Sequence, residues 1–381
     1  MKTSADCVVI GGGVVGTAIA YYLARGGLTN TVLVESSHLA SGGTGRCGGG
    51  IRQQWSTEPN IRLAMESVRL FKSLEEELDA DIEFLQGGYL VLAYTDDEVR
   101  EFQKNVVLQR SLGVDVEVLS PEEATRNVVP ELNASGVKLA TYCAADASAN
   151  PFLTTQAYAD AARRLGAHIE LSTPVTRVLV RGGRVTGVET ERGTVSAPVV
   201  VNAAGSHSVA LARTAGVELP ITPLRREILV TEPLERFFHP MVISFSFGIY
   251  FRQAKHGSII GGFGDPDEPA GFNQVSSLEF LTTMCRKLAF LMPALESVKV
   301  VRQWAGLYDV TPDAQPILGP VDEIEGFHQA SGFSGHGFMI APKTATLVAQ
   351  TILGEKPDLD IAHLNARRFT EGAIRKDRSV V

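Results

Sequence analysis

Gly11-Gly12-Gly13-Val14-Val15-Gly16 follows the apolar run Cys7-Val8-Val9-Ile10 and precedes Thr17 to Arg25, a stretch suited to a helix. Strand, glycine turn and helix in that order are the context that gives G-x-G-x-x-G its meaning. Gly11 allows the tight turn, Gly13 lets backbone reach a pyrophosphate, and Gly16 lets helix and strand pack closely, which puts the phosphates at the helix N-terminus. Gly12, Val14 and Val15 complete the expected phosphate contacts. Thr31-Val32-Leu33-Val34-Glu35 then closes a βαβ unit. Glu35, with Ser36 beside it, stands where a carboxylate accepts from both ribose hydroxyls of an adenosine and would repel a 2′-phosphate. The fingerprint by itself fits FAD and NAD equally.

Three further segments favour FAD. Ser41-Gly42-Gly43-Thr44-Gly45-Arg46-Cys47-Gly48-Gly49-Gly50 is too rich in glycine for a helix or a strand interior, and it stands where a nicotinamide domain would start another βα unit. Such a loop suits a pyrophosphate and ribityl chain, with Ser41, Thr44, Arg46, Gly48 and Gly49 as contacts. Asn202-Ala203-Ala204-Gly205 ends an apolar strand on small residues, which permits either close approach to a ligand or a plain packing corner. Gly332-Phe333-Ser334-Gly335-His336-Gly337 precedes a helix whose N-terminus would aim its dipole and free N–H groups at the flavin N1 and C2 carbonyl. That placement stabilises a reduced, anionic ring.

Length and composition set the bounds. A chain of 381 residues, 44% hydrophobic and 20% charged, reads as a folded protein larger than one ordinary core. Its apolar stretches, such as Ala197 to Ala204, fall well short of the roughly 18 residues a spanning helix needs. The first strand begins near Asp6, so no targeting segment is expected. A net charge of −8 disfavours a nucleic-acid partner. The cysteines Cys7, Cys47, Cys143 and Cys285 form no C-x-x-C pair, which fits neither a disulfide framework nor a zinc site, so a reducing cytoplasm is the expected home and no metal is expected.

Apolar periodicity predicts helices over Pro59 to Leu78, Asp96 to Leu112, Pro121 to Val129, Pro151 to Leu165 and Ser276 to Met292, with Glu75, Glu76 and Glu77 on a solvated face. Strands are predicted at Gly87 to Tyr94, His168 to Leu171, a hairpin turning at Gly182-Gly183, and Val199 to Ala204, with several more between Ile228 and Phe263. The expected fold is α/β plus α+β. A Rossmann-like FAD-binding domain of the glutathione-reductase type (1–81, 144–222 and 300–381) interleaves with an antiparallel-sheet substrate domain (82–143 and 223–299).

These motifs, with Ile51-Arg52-Gln53-Gln54, Trp304-Ala305-Gly306, Thr311-Pro312-Asp313 and Gly337-Phe338-Met339, resemble the D-amino acid oxidase and sarcosine oxidase superfamily of FAD enzymes. Within it they are most similar to the β subunits of dye-linked L-proline dehydrogenase and heteromeric sarcosine oxidase. The resemblance spans essentially the whole chain. It implies oxidation of a small secondary or cyclic amino acid at the flavin, with Val175, Ala204, Gly205, Gly306, Gly335, His336, Gly337, Phe338 and Met339 among the cofactor contacts. It also marks departures. Gly306 stands near a cysteine that tethers FAD in monomeric relatives, and Asn150 near a histidine that tethers FMN in heteromeric ones. FAD is therefore expected without a covalent bond, and an additional non-covalent FMN at a subunit interface stays compatible. Met339 replaces a substrate-binding lysine of the oxidases and Ile259 aligns with an oxygen-activating one, which favours the dehydrogenase branch.

Flavin oxidation of an amino acid needs mainly positioning: the neutral amine delivers a hydride to N5 and the imine hydrolyses. Arg52 is the first choice to hold the carboxylate bidentately, with a loop-clamping role as the bland reading and Arg46 as the other cation. Strand alternation puts Tyr250 and Arg252 on one face and Phe251 on the other, without saying which face lines the pocket. His336 either donates to the flavin or caps the helix; His256 and Trp304 read as surface or core. Companion subunits and an acceptor (dye, quinone or O2) are expected partners. The rival readings are an FAD oxidoreductase for a hydroxy acid or another amine, a flavin-binding relay subunit without catalysis of its own, and a nicotinamide enzyme.

Overall fold

Valine-rich strands with no polar face must be covered on both sides. Cys7–Ile10, Thr31–Val34 and Val199–Asn202 are such strands, buried at all but Val199 in a computed structural model that describes residues 1–372, 374, 376, 377 and 379. They form the centre of a six-stranded sheet ordered Ile317–Pro320, Phe327–Ser331, Val199–Asn202, Cys7–Ile10, Thr31–Val34 and His168–Glu170. All neighbours are parallel except the edge strand Ile317–Pro320. Alternate residues serve opposite layers. Cys7, Val9, Leu33 and Val201 pack with the helices Val14–Arg25, Pro151–Arg164 and Gly337–Ile352. Val8, Val32, Val34 and Val200 pack on a three-stranded antiparallel sheet, Val175–Arg181, Arg184–Thr190 and Gly193–Ser196. Its hairpin turns at Gly182-Gly183, both at positive φ, as expected.

A second sheet has eight strands: Val300–Val310, Thr222–Pro233, Ser258–Phe263, Ile249–Gln253, Met241–Ser244, Tyr89–Ala93, Leu139–Cys143 and Glu117–Leu119. It is antiparallel apart from the pairing of Met241–Ser244 with Tyr89–Ala93, which bears out the expected antiparallel-sheet domain. Val300–Val310 pairs along Thr222–Pro233, so the expected boundary at residue 300 falls at the start of a strand of this sheet. One face packs on the helix Leu278–Leu291 through Leu229, Ile249, Phe251 and Ile259. The other face carries Tyr89 and Tyr250.

Helix ends follow their caps. Asp96–Ser111 and Pro121–Asn127 each begin with a capping box, Thr95 with Glu98 and Ser120 with Glu123. The helix Glu58–Leu78 corrects one expectation, because only Glu76 of the acidic run is exposed. Glu75 accepts from the backbone N–H groups of Ile82 and Phe84 at 3.1 and 3.2 Å, and Glu77 from the Tyr21 hydroxyl and Arg25. These carboxylates fasten the next loop and the first helix.

The first turn admits only glycine. Gly11 has φ +114°, and a Cβ there would lie 2.4 Å from the Ala203 carbonyl oxygen. A Cβ on Gly16 would lie 2.0 Å from the Gly11 oxygen. Gly16→Ala is therefore expected to destabilise the protein by about 1–3 kcal/mol through overpacking. Urea unfolding measures this, and a midpoint equal to that of the unaltered protein would contradict it.

Candidate active site

The end of the first strand builds a phosphate cradle. The helix Val14–Arg25 starts after Gly13 with no side-chain cap and no acidic residue in its first turn, which leaves its dipole facing outward. Thr44 Oγ1 accepts from Val14 N at 3.1 Å and so holds the glycine-rich loop against this helix end. Glu35 is buried, and its Oε1 accepts from the Ser36 hydroxyl, Ser37 N and the Ser41 hydroxyl at 3.0, 2.8 and 3.1 Å. Oε2 accepts only from Gly12 N, at 2.6 Å, so it keeps a lone pair for a ribose hydroxyl. Val175 begins the three-stranded sheet two residues after Thr173, whose N–H donates to the Glu35 carbonyl. Ala204 and Gly205 follow the Ala203 carbonyl that faces Gly11, and nothing lies within 4 Å of a Cβ placed on Gly205. A glycine-only turn, an open helix N-terminus and a carboxylate with spare capacity fit an adenosine diphosphate moiety.

The loop then runs from this cradle to a cavity of about 590 Å³. Arg46 binds loop backbone: its Nε donates to Ser41 O and its Nη1 to Ala305 O, at 3.3 and 2.9 Å. Trp304 Nε1 donates back to Arg46 O at 3.3 Å, and a Cβ on Gly306 would meet the Arg46 Cβ at 2.8 Å. This removes Arg46 as a substrate cation and explains the Trp304-Ala305-Gly306 motif as a clamp. Beyond Arg46, Cys47 to Gly50 form one wall of the cavity.

The opposite wall is the second glycine-rich segment. Gly335 has φ +91°, and a Cβ there would lie 2.1 Å from the Tyr308 ring. Buried Asp309 accepts from Gly332 N at 2.7 Å, and its carbonyl accepts from Ser334 N at 3.1 Å. Its pKa is pushed up to about 6 by burial, against these donors. Gly337 starts the helix Gly337–Ile352, again with no acid in the first turn, while Phe338 and Met339 line the cavity. His336 occupies the N-cap position, but its side chain makes no capping bond, which rules out the capping reading. Its ring is 3% exposed and lies 4.6 Å from the Trp55 ring, and neither ring nitrogen has a partner.

Arg52 also packs on Trp55, its guanidinium carbon 4.1 Å from the ring centroid. It is 4% exposed; Nη2 donates to the Ser379 carbonyl at 2.5 Å and Nε has no partner. Among the described residues it forms no ion pair. Gln53 and Gln54 hold the backbone that follows it by donating to buried Asp146, whose pKa burial pushes up to about 6. Tyr250 faces the cavity beside Gly48, whereas Phe251 points into the core, which settles the strand's open orientation. Arg252, on the Tyr250 face, donates to Gly48 O at 2.6 Å and so braces the loop. Ile259 is packed in the core with Phe251 and Met284, away from the cavity, so that position is no counterpart of a flavin-facing lysine. His256 is exposed.

Trp55, Tyr89 and Tyr308 also line the cavity without having been singled out by sequence. Trp55 directly follows the diagnostic Arg52-Gln53-Gln54 run, which was the available signal. Tyr89 and Tyr308 sit on strands 219 residues apart (308 − 89), and only the sheet brings them to one site.

Burial lowers the His336 pKa to about 4, with Asp377 opposing and Arg52 assisting. An imidazole depressed in the fold contributes stability above its unfolded pKa of about 6.5, and this is lost as pH falls through the folded value. Ring-carbon NMR shifts should show His336 neutral down to about pH 4, and His336→Gln should flatten the loss of stability on acidification. Protonation of the folded ring near pH 6.5 would refute the assignment.

Comparison with known proteins places this geometry. The family described as "FAD dependent oxidoreductase" (DAO) matches residues 6–351. The β subunit of sarcosine oxidase from Arthrobacter sp is 34% identical over 379 residues, covering 98% of this chain and 93% of the relative. The human mitochondrial sarcosine dehydrogenase is 29% identical, and the match covers 97% of this chain and 42% of that protein. The crystal structure of L-proline dehydrogenase from P. horikoshii superposes with a TM-score of 0.94 at 37% identity, covering 98% of this chain and 100% of that one. Among the described residues no helix is long and apolar enough to cross a membrane. With an open helix end and a cavity joined by one glycine-rich loop, this chain belongs to the DAO family of FAD-dependent oxidoreductases.

Proposed function

We propose that the chain oxidises a small secondary or cyclic amino acid, L-proline- or sarcosine-like, and that it works as the catalytic β-type subunit of a larger complex. The carrying observation is Arg52, a buried guanidinium on the cavity that has, among the described residues, one carbonyl partner and an unpaired Nε. A substrate carboxylate supplies the charge and the two acceptors that this group lacks. The apolar wall of Trp55, Met241, Ile243, Phe338 and Met339 suits methylene groups or a saturated ring. No Asp or Glu lines the cavity, so burial favours the neutral amine over the ammonium form. That is the form able to give up a hydride, and bound FAD supplies the acceptor ring. Neutral His336 adds no competing positive charge and offers a ring N–H to ligand or cofactor.

FAD is held without a covalent bond in this reading. Gly306 offers no thiol, and Cys47 on the cavity keeps its proton because burial raises its pKa to about 11. Asn150 is spent as an N-cap, accepting from Phe152 N and Leu153 N, so an FMN at a subunit interface would also lack a covalent tether. The names of the sarcosine oxidase β subunit and L-proline dehydrogenase relatives support both the substrate class and companion subunits. The four free thiols support a reducing, cytoplasmic setting.

The test is anaerobic flavin bleaching and dye reduction with a panel of amino acids, hydroxy acids and simple amines. Proline or sarcosine should bleach the flavin, and Arg52→Gln should raise KM about a hundredfold, in line with the few kcal/mol lost when one partner of a buried charge pair is removed, while the flavin spectrum persists. A flavin that no amino acid bleaches would refute the reading.

A further inference from the structure

Two residues from the far end of the described chain return to this site. Asp377 is buried, and its carboxylate accepts from Ser56 Oγ, Thr57 Oγ1, Asn60 Nδ2 and Ser379 N at 2.7, 2.9, 2.9 and 2.9 Å. Its own N–H donates to Asp313 O at 3.1 Å. The carboxylate therefore sits at the N-terminus of the helix Glu58–Leu78, whose N-cap residue Thr57 makes no capping bond of its own. Two residues on, Ser379 is 7% exposed and its carbonyl takes the Arg52 Nη2 hydrogen bond. A peptide oxygen thus stands on the guanidinium that the proposed function gives to the substrate.

We propose that the Ser379 carbonyl is a built-in competitor for Arg52, latched in place by Asp377, and that a substrate carboxylate binds by displacing it. This rests on the reading of Arg52 as the carboxylate site. The exchange is favourable in kind: a neutral carbonyl gives the guanidinium one acceptor, and a carboxylate gives it two with a charge. The carbonyl in turn spares the vacant site a buried cation with no partner at all. Asp377 touches neither substrate nor flavin in this scheme and acts as a positioning residue through Ser379.

The experiment compares the FAD-loaded protein, its Asp377→Ala variant and a chain stopped after Gly372, each titrated with acetate by flavin absorbance and calorimetry. A competitor in place about nine-tenths of the time weakens apparent affinity about tenfold, so both variants should bind acetate about tenfold more tightly. In the unaltered protein, saturating acetate should speed tryptic cleavage after Lys376, followed by mass spectrometry, and Arg52→Gln should abolish that acceleration. Equal acetate affinity in all three proteins, or slower cleavage with acetate, overturns the competitor. If Arg52→Gln leaves acetate binding unchanged, the carboxylate reading fails and the competitor with it; if binding needs Arg52 but ignores Asp377, only the competitor fails. Circular dichroism separates misfolding of the shortened chain from these outcomes, and the cleavage assay on the unaltered protein stands without it.

Discussion

The structure depends on a contact that only glycine permits: the backbone of Gly11 against the Ala203 carbonyl, and Gly16 against Gly11. Because no side chain intervenes, the first helix starts immediately above the end of the central strand, with no side-chain cap at Gly13 and no acid in its first turn. The parallel neighbours Thr31–Val34 and Val199–Asn202 end at the same level, so Glu35 and Ala204 arrive beside that helix end from either side. One close approach thereby fixes the open helix end, the Glu35 carboxylate beside it and the start of the loop that leads away.

That loop leads from the helix end to the cavity. It is fastened at Thr44 to the first helix, at Arg46 to Ala305, at Gly48 to Arg252, and at Gln53 and Gln54 to Asp146. The fastenings come from the first helix and from strands of the eight-stranded sheet, so the loop ties that helix to the second sheet at the cavity. Asp146 carries a desolvation cost, visible in its raised pKa, and three donated hydrogen bonds offset it. Asp309 does the same for the second glycine-rich segment. Both walls of the cavity are backbone held by buried carboxylates, an arrangement that keeps their positions when no cofactor pushes against them.

Local features were the legible ones. Strand, turn and helix around Gly11 to Gly16 are contiguous, and their spacing states its own geometry; the capping boxes at Thr95 and Ser120 mark helix starts to the residue. Tyr250 was legible as a strand residue but not as a cavity residue, because alternation defines two faces and only the core formed by Phe251, Ile259 and Met284 decides between them. Glu75 and Glu77 looked solvated because their partners, Ile82, Phe84, Tyr21 and Arg25, lie outside the helix's own period. Asp377 had no local signature at all: its donors Ser56, Thr57 and Asn60 are more than 300 residues away, and no periodicity spans that distance.

Arg52 shows what such a site costs. A buried guanidinium with a single carbonyl partner is destabilising, since removing an ion from water costs several kcal/mol that only good pairing repays. Arg252 nearby is buried as well, and burial lowers the pKa of both. Arg52 faces a cavity whose lining, among the described residues, holds no acid, and the depressed His336 pKa keeps a second cation from joining it there. A fold that carries such a mismatch when the cavity holds no ligand concentrates its frustration where binding can relieve it. In the proposed function, a monoanionic carboxylate entering beside Arg52 would give that guanidinium a charged partner without displacing any protein acid, so binding energy goes into orientation of the attached carbon and nitrogen.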